Sequence, residues 1–106
     1  MKILKINILG TEYDVEIKKI NRPLDGYCDT SVKKIVVDSM EDVENPKEDL
    51  KQYQKQVLRH EIIHAFLYES GLEGECRWNT EEMVDWISIQ FDKLGKVFVD
   101  SGCCDE

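Results

Sequence analysis

The sequence predicts an α+β fold, a small N-terminal three-stranded sheet packed against two helices. Apolar and polar side chains alternate through the first third of the chain, a stripe with 3- and 4-residue spacing runs from Leu50 to Leu67, and a second such stripe follows Thr80. The 106 residues suit one domain. Leu, Ile, Val and Phe exceed a quarter of the chain, above the roughly 20% below which charged chains tend to stay disordered. A single domain over residues 1–106, with a flexible tail from about residue 100, is the expectation.

Residues 3–9 and 12–20 alternate around Gly10-Thr11, which predicts a hairpin with Tyr13, Val15 and Ile17 on its inner face. Residues 21–32 carry Pro23, Asp25-Gly26 and Ser31 and read as a loop. Lys33 to Asp38 then form the third strand, centred on the β-branched run Ile35-Val36-Val37, and an acidic loop follows over 38–45. Asn45-Pro46 supplies a cap and a proline at the first helical position, with Glu48 and Asp49 at the positive end of the dipole. That helix is expected to reach about Ser70 and stop at Gly71. Its inward seam is Leu50, Tyr53, Val57, His60, His64 and Leu67. A second helix begins near Asn79 or Thr80, turns Val84, Ile87 and Phe91 inward, and ends about Leu94 at Gly95. Residues 96–106 form the tail.

Fourteen Lys and Arg against 22 Asp and Glu give a net charge of −8, the wrong sign for a domain that neutralises phosphates. Nucleic acids and anionic membranes are therefore not expected partners. No apolar run approaches the ~18 residues of a membrane span and no signal peptide is legible, so a cytoplasmic protein is the expectation. The 4 cysteines, Cys28, Cys76, Cys103 and Cys104, lack the dense spacing of secreted scaffolds and read as reduced thiols.

The chemistry lies in His60-Glu61-Ile62-Ile63-His64. Residues four apart on a helix sit ~40° apart around the axis and one turn along it, so both imidazoles face one way at a separation that a zinc ion bridges. Glu61 is rotated by ~100°, placed to reach a metal-activated water as a general base. These are the only 2 histidines in the chain, both on the buried seam, and two polar rings in a small core call for a shared partner.

Catalytic zinc takes a third protein ligand. With no third histidine, a carboxylate or a thiolate must serve. Glu81 and Glu82 open the second helix. Asn79 and Glu82 have capping-box spacing, which assigns Glu82 to the backbone and leaves Glu81 for the ion. Asp85, one turn after Glu81, could accept a hydrogen bond from a ligand imidazole.

On these residues the chain resembles the gluzincin-type metallopeptidases, and among them the small ImmA/IrrE-like proteins often encoded by phages and mobile elements. There the His-Glu-x-x-His helix precedes a second helix with the pattern Glu-x-x-Ala-(Asn or Asp)-x-Phe-Ala. Glu81, Val84, Asp85, Ile87 and Ser88 fall on those positions, and Ile62-Ile63 replaces a frequent Leu-Gly. The resemblance spans roughly residues 25–95 and implies a minimal zincin-like domain with one zinc. His60, His64 and Glu81 would be the ligands and Glu61 the base. It also implies that strand 33–38 is a sheet edge that takes a peptide by strand addition, and that an intracellular regulatory protein is the substrate. No tethered sensor or DNA-binding domain is expected.

Three other readings stay open. Deformylase-like proteins use a cysteine before the His-Glu-x-x-His helix as third ligand, a place Cys28 could take. A zinc-stabilised binding or inhibitor module would bind the ion without turnover. Cys103 and Cys104 could occupy the open zinc position. Arg77 and Tyr53 are candidates for stabilising an oxyanion, though a loop arginine and a seam tyrosine read first as structural. Oligomeric state is not legible.

Overall fold

A computed structural model describes residues 2–21, 23–41, 50–72, 77 and 79–105. The strands are β1 (Lys2–Ile8), β2 (Thr11–Lys18), β3 (Gly26–Asp29) and β4 (Lys34–Asp38); the helices are α1 (Leu50–Glu69) and α2 (Glu81–Asp100). The architecture is α+β, a mixed four-stranded sheet in the order β1-β2-β4-β3 with two helices. The Asn45 cap, Pro46, the acids at 48 and 49 and Cys76 lie outside the described residues.

The β1–β2 hairpin pairs Ile8 with Thr11, so its two-residue turn is Leu9-Gly10, one position before the expected turn. Both turn residues have positive φ, 51° and 93°, the geometry that matches the twist of the flanking strands. Asn7 Oδ1 accepts the Gly10 N–H at 2.8 Å. The chain then crosses to form β3, and β4 returns between β2 and β3, parallel to the first and antiparallel to the second.

Two expectations change here. Residues 21–32 are not all loop, because Gly26–Asp29 pairs with Lys34–Val37 as β3. Strand 33–38 is not an edge, since β4 has neighbours on both sides and the edges are β1 and β3. The sequence carried a sign of this. Ile35, Val36 and Val37 are all 0% exposed, and an unbroken apolar run suits a strand covered on both faces better than an edge. β3 escaped notice because four residues beginning with glycine and flanked by turn formers offer no alternation to read.

The core joins Tyr13, Val15, Ile35 and Val37 of the sheet to Val57 and Ala65 of α1. Gly71 ends α1 as expected, with φ 83°. Its N–H donates to Tyr68 O at 3.1 Å and that of Leu72 to Leu67 O at 2.9 Å, a left-handed stop that satisfies two terminal carbonyls. Two residues back, the Glu69 carboxylate accepts from Tyr13 Oη at 2.7 Å, Thr11 Oγ1 at 3.0 Å and Lys33 Nζ at 2.9 Å. An acid at a helix C-terminus opposes the dipole, so these donors offset that cost and tie α1 to the sheet.

The Lys33 ammonium, then the Tyr13 hydroxyl, hold the Glu69 carboxyl below its ordinary value of 4.5. A depressed carboxyl contributes stability that is present above the unfolded value and lost as pH falls through the folded one. Glu69→Gln is therefore expected to flatten the acid limb of the stability profile. Urea midpoints of both proteins between about pH 3 and 7 test it, and parallel curves would refute it.

The second helix departs from expectation at both ends. Its cap is Thr80, whose Oγ1 accepts the Met83 N–H at 3.1 Å. Asn79 instead donates its side-chain amide to Leu72 O at 3.0 Å, so the Asn79–Glu82 capping box does not form. Gly95 does not end the helix, which runs through Val97-Phe98-Val99 to Asp100. The stop is Gly102, with φ 81° and N–H to Val99 O at 3.0 Å. A helical glycine costs only ~1 kcal/mol relative to alanine, so it weakens a helix without terminating it. Residues 96–100 are thus helix, and Phe91, expected inward, is 56% exposed.

Candidate metal centre

Arg59 fixes α2 against α1. Its Nε donates to Ser88 O at 2.6 Å and its guanidinium lies 3.6 Å from Asp92. Val84 and Ser88 are both fully buried at this contact. The serine's small side chain turns back onto Asp85 O at 2.8 Å, which lets the helices approach with no buried hydroxyl left unpaired. Asp85 and Glu81 then lie one and two turns toward the N-terminus of α2, over the histidines of α1.

His60 Nε2 and His64 Nε2 are 3.1 Å apart. Glu81 Oε2 lies 3.0 Å from the first and Oε1 2.9 Å from the second. His60 Nδ1 lies 2.7 Å from Asp85 Oδ1. An ionised carboxylate can only accept, so His60 donates from Nδ1, and the neutral ring then turns the lone pair of Nε2 toward Glu81 and His64. Electron-pair donors packed this closely require positive charge among them, as ring protons or a metal ion. Two ligands ~2.0–2.1 Å from a tetrahedral zinc are ~3.3–3.4 Å apart, close to the observed 3.1 Å between the ring nitrogens. His60, His64 and Glu81 form the group of metal-ligating side chains that converges among the described residues. The residues fit a metal ion.

Glu61 faces the same space but is not a member of that group. Only 8% exposed, its carboxyl is raised to about 7, first by burial and then by the charges of Glu81 and Asp85, with His60 acting in opposition. A buried carboxyl that gains and loses a proton near neutrality is suited to general acid–base work.

The edge strand β3 closes the other side. A cleft of about 460 Å³ lies between Leu24, Gly26, Tyr27 and Cys28 on one wall and His60, Glu61, His64 and Glu81 on the other. A Cβ on Gly26 would come 2.8 Å from Val57 Cγ1, 3.0 Å from Val36 O and 3.5 Å from Glu61 Cγ. Glycine is therefore what lets β3 approach α1 at this point. The sequence marked Asp25-Gly26 only as a turn and gave no sign of this role. Gly26→Ala is expected to lose about 1–3 kcal/mol of stability, as overpacking does, and to shift the α1 amides around Glu61. Two-dimensional NMR with a denaturant titration would check both, and unchanged spectra would remove Gly26 from the site.

Tyr53 lines a smaller pocket of about 180 Å³ next to His60 and Glu61. Its hydroxyl donates to the Asp25 carboxylate, and that bond, with burial, pushes it up to about 12, so it stays protonated. Arg77 is exposed. Cys28 lines the main cleft but is not one of the three converging donors. Cys103 and Cys104 are exposed beyond the far end of α2, a 20-residue helix. At ~1.5 Å per residue this is ~30 Å from Glu81, too far for either thiol to close the same chain's site. Compared with family models, curated proteins and solved structures, the chain matches none. No helix among the described residues is long and apolar enough to cross a membrane.

Proposed function

We propose that this chain is a minimal zincin-like metallopeptidase of the gluzincin type, holding one zinc through His60, His64 and Glu81. The observation that carries the reading is the convergence of those three donors, with Asp85 fixing the His60 tautomer and Glu61 beside them. Two imidazoles and one carboxylate are a donor set typical of hydrolytic zinc, whereas magnesium and calcium favour all-oxygen sites. Zinc supplies a Lewis acid that polarises a carbonyl and lowers the pKa of water toward ~7.

The chain's own residues do the rest. Glu61 would take the proton of the attacking water and return it to the leaving amine, a role favoured by its burial beside the three donors. Asp85 holds His60 in the ligating tautomer. The edge strand β3, rather than strand 33–38, lines the cleft across from Glu61 and would receive an extended peptide. The net charge of −8 argues against a nucleic-acid substrate, and an intracellular regulatory protein is the substrate class the resemblance favours.

Metal analysis of the purified chain together with a peptide-library cleavage assay tests the reading. One zinc per chain, with cleavage that ceases in Glu61→Gln, supports it. One tightly held zinc without cleavage of any peptide favours the binding or inhibitor module instead. No zinc at all rejects both.

A further inference from the structure

The apolar seam of α2 continues past the point where α1 can cover it. Val84, Ile87, Phe91, Leu94 and Phe98 follow one another at helical spacing. Val84 is fully buried against α1, yet Phe91 is 56%, Leu94 39%, Phe98 42% and the adjoining Val97 61% exposed. The change falls where Arg59 reaches Asp92. Beyond it, the turns of α1 on the Arg59 face present Lys55, Gln56 and Gln52, and such side chains offer no apolar surface to receive phenylalanines. The second half of α2 therefore carries a seam written for another helix.

We propose that this half of α2 is a two-fold docking surface for a second copy of the chain, the two helices packing antiparallel. Self-complementarity favours that occupant. A dyad between residues 94 and 95 sets Phe91 against Phe98 of the second copy, an aromatic pair, and Leu94 against Gly95 of the second copy. Nothing lies within 4 Å of a Cβ added at Gly95, so the glycine is an open hole opposite a leucine knob. Charge along this stretch is balanced and does not stand against it. Copies of a chain at −8 repel, but residues 91–100 carry two aspartates and two lysines, and the positions flanking the seam, Gln90, Gly95 and Val97, carry no charge.

The four exposed side chains Phe91, Leu94, Val97 and Phe98 each leave on the order of 100 Å² outside, so this stretch offers roughly 400 Å² of apolar surface per copy. At roughly 800 Å² for the two copies this lies below the standard size of specific interfaces and among transient contacts, which predicts a weak, reversible dimer with a Kd of roughly 10–100 µM. The inference is independent of the peptidase reading, since Glu61 and the metal ligands lie at the other end of α2.

Sedimentation equilibrium of the full chain from about 1 to 500 µM, with zinc content measured alongside, tests it. A monomer–dimer equilibrium is expected. The double change Phe91→Asp with Phe98→Asp should leave a monomer throughout, with the parent's far-ultraviolet circular dichroism and cooperative urea unfolding as the sign that the fold is intact. Gly95→Leu separates the alternatives further. In a monomer it removes a helical glycine from open space and raises the melting temperature, whereas in the dimer it fills the hole and weakens association at least ~10-fold. A parent that is monomeric over the whole range overturns the proposal and leaves the seam to a different partner. Association that survives the double change, or is unmoved by Gly95→Leu, overturns it equally.

Discussion

Removing the Glu81 carboxylate is expected to cost the chain its tight zinc, while the same change one residue on costs almost nothing. Glu81 is the first residue of α2 and reaches both ring nitrogens, at 3.0 and 2.9 Å. Glu82 is turned ~100° away and is exposed. Because Thr80 rather than Asn79 caps the helix, Glu82 has no capping partner either, and its remaining role is to complement the dipole. Glu82→Gln should leave zinc affinity within about twofold. Asp85→Asn keeps the ligands but loses the group that selects the His60 tautomer, for which ~10- to 100-fold is the usual loss. Glu81→Gln should exceed that range, and His60→Ala or His64→Ala should empty the site. Chelator competition on the five variants gives the order directly. Zinc lost from Glu82→Gln and kept by Glu81→Gln would mean that the ion sits elsewhere.

Empty sites should also show in stability. A metal that binds the native chain and not the unfolded one adds RT ln(1 + [L]/Kd) to the unfolding free energy, about 4 kcal/mol at a thousandfold excess over Kd. The parent should therefore gain a large increment in melting temperature on adding zinc. His60→Ala and His64→Ala should gain none.

The candidate metal ligands could be singled out because they obey short-range rules. Four residues on a helix align His60 with His64, and four more separate Glu81 from Asp85, so each pair could be placed from sequence spacing alone. That the two pairs meet was a different matter. It depends on the antiparallel packing of α1 and α2 through Arg59, Val84 and Ser88, which no local pattern announces. The inner face of β2 and the Gly71 stop were likewise readable, since alternation and a left-handed glycine are local signals.

What stayed hidden was decided by tertiary contact. β3 exists because β4 offers it a ladder, and Gly26 matters because Val57 and Glu61 crowd it. Pairing order is a property of the whole sheet, so strand 33–38 could be recognised as a strand and still be misplaced at the edge. The end of α2 was misjudged for the opposite reason. Gly95 lies on a free helix face with nothing beside it, and a glycine there looks in sequence like the one at 102 that adopts positive φ and ends the helix.

Glu61→Gln is expected to separate chemistry from both binding and folding. The amide matches the carboxylate in shape and cannot take a proton, so zinc should remain while hydrolysis falls by ~10²-fold or more, the scale of a lost general base. Stability should move the other way. Burial raises the Glu61 carboxyl to about 7 from its ordinary 4.5, so the native metal-free chain holds a proton that the unfolded chain has released. A carboxyl raised in this way costs stability progressively as pH climbs from the unfolded value to the folded one, and the cost is complete above about pH 7. In the presence of a chelator, Glu61→Gln should thus match the parent near pH 4.5 and exceed it above pH 7, by on the order of 1–2 kcal/mol once solvent access to the cleft is allowed for. A residue placed for packing would lose stability on substitution and leave activity alone. Urea titrations at the two pH values, set beside cleavage rates with zinc restored, distinguish the roles, and a variant that is less stable at both pH values would show that the buried carboxylate serves the fold.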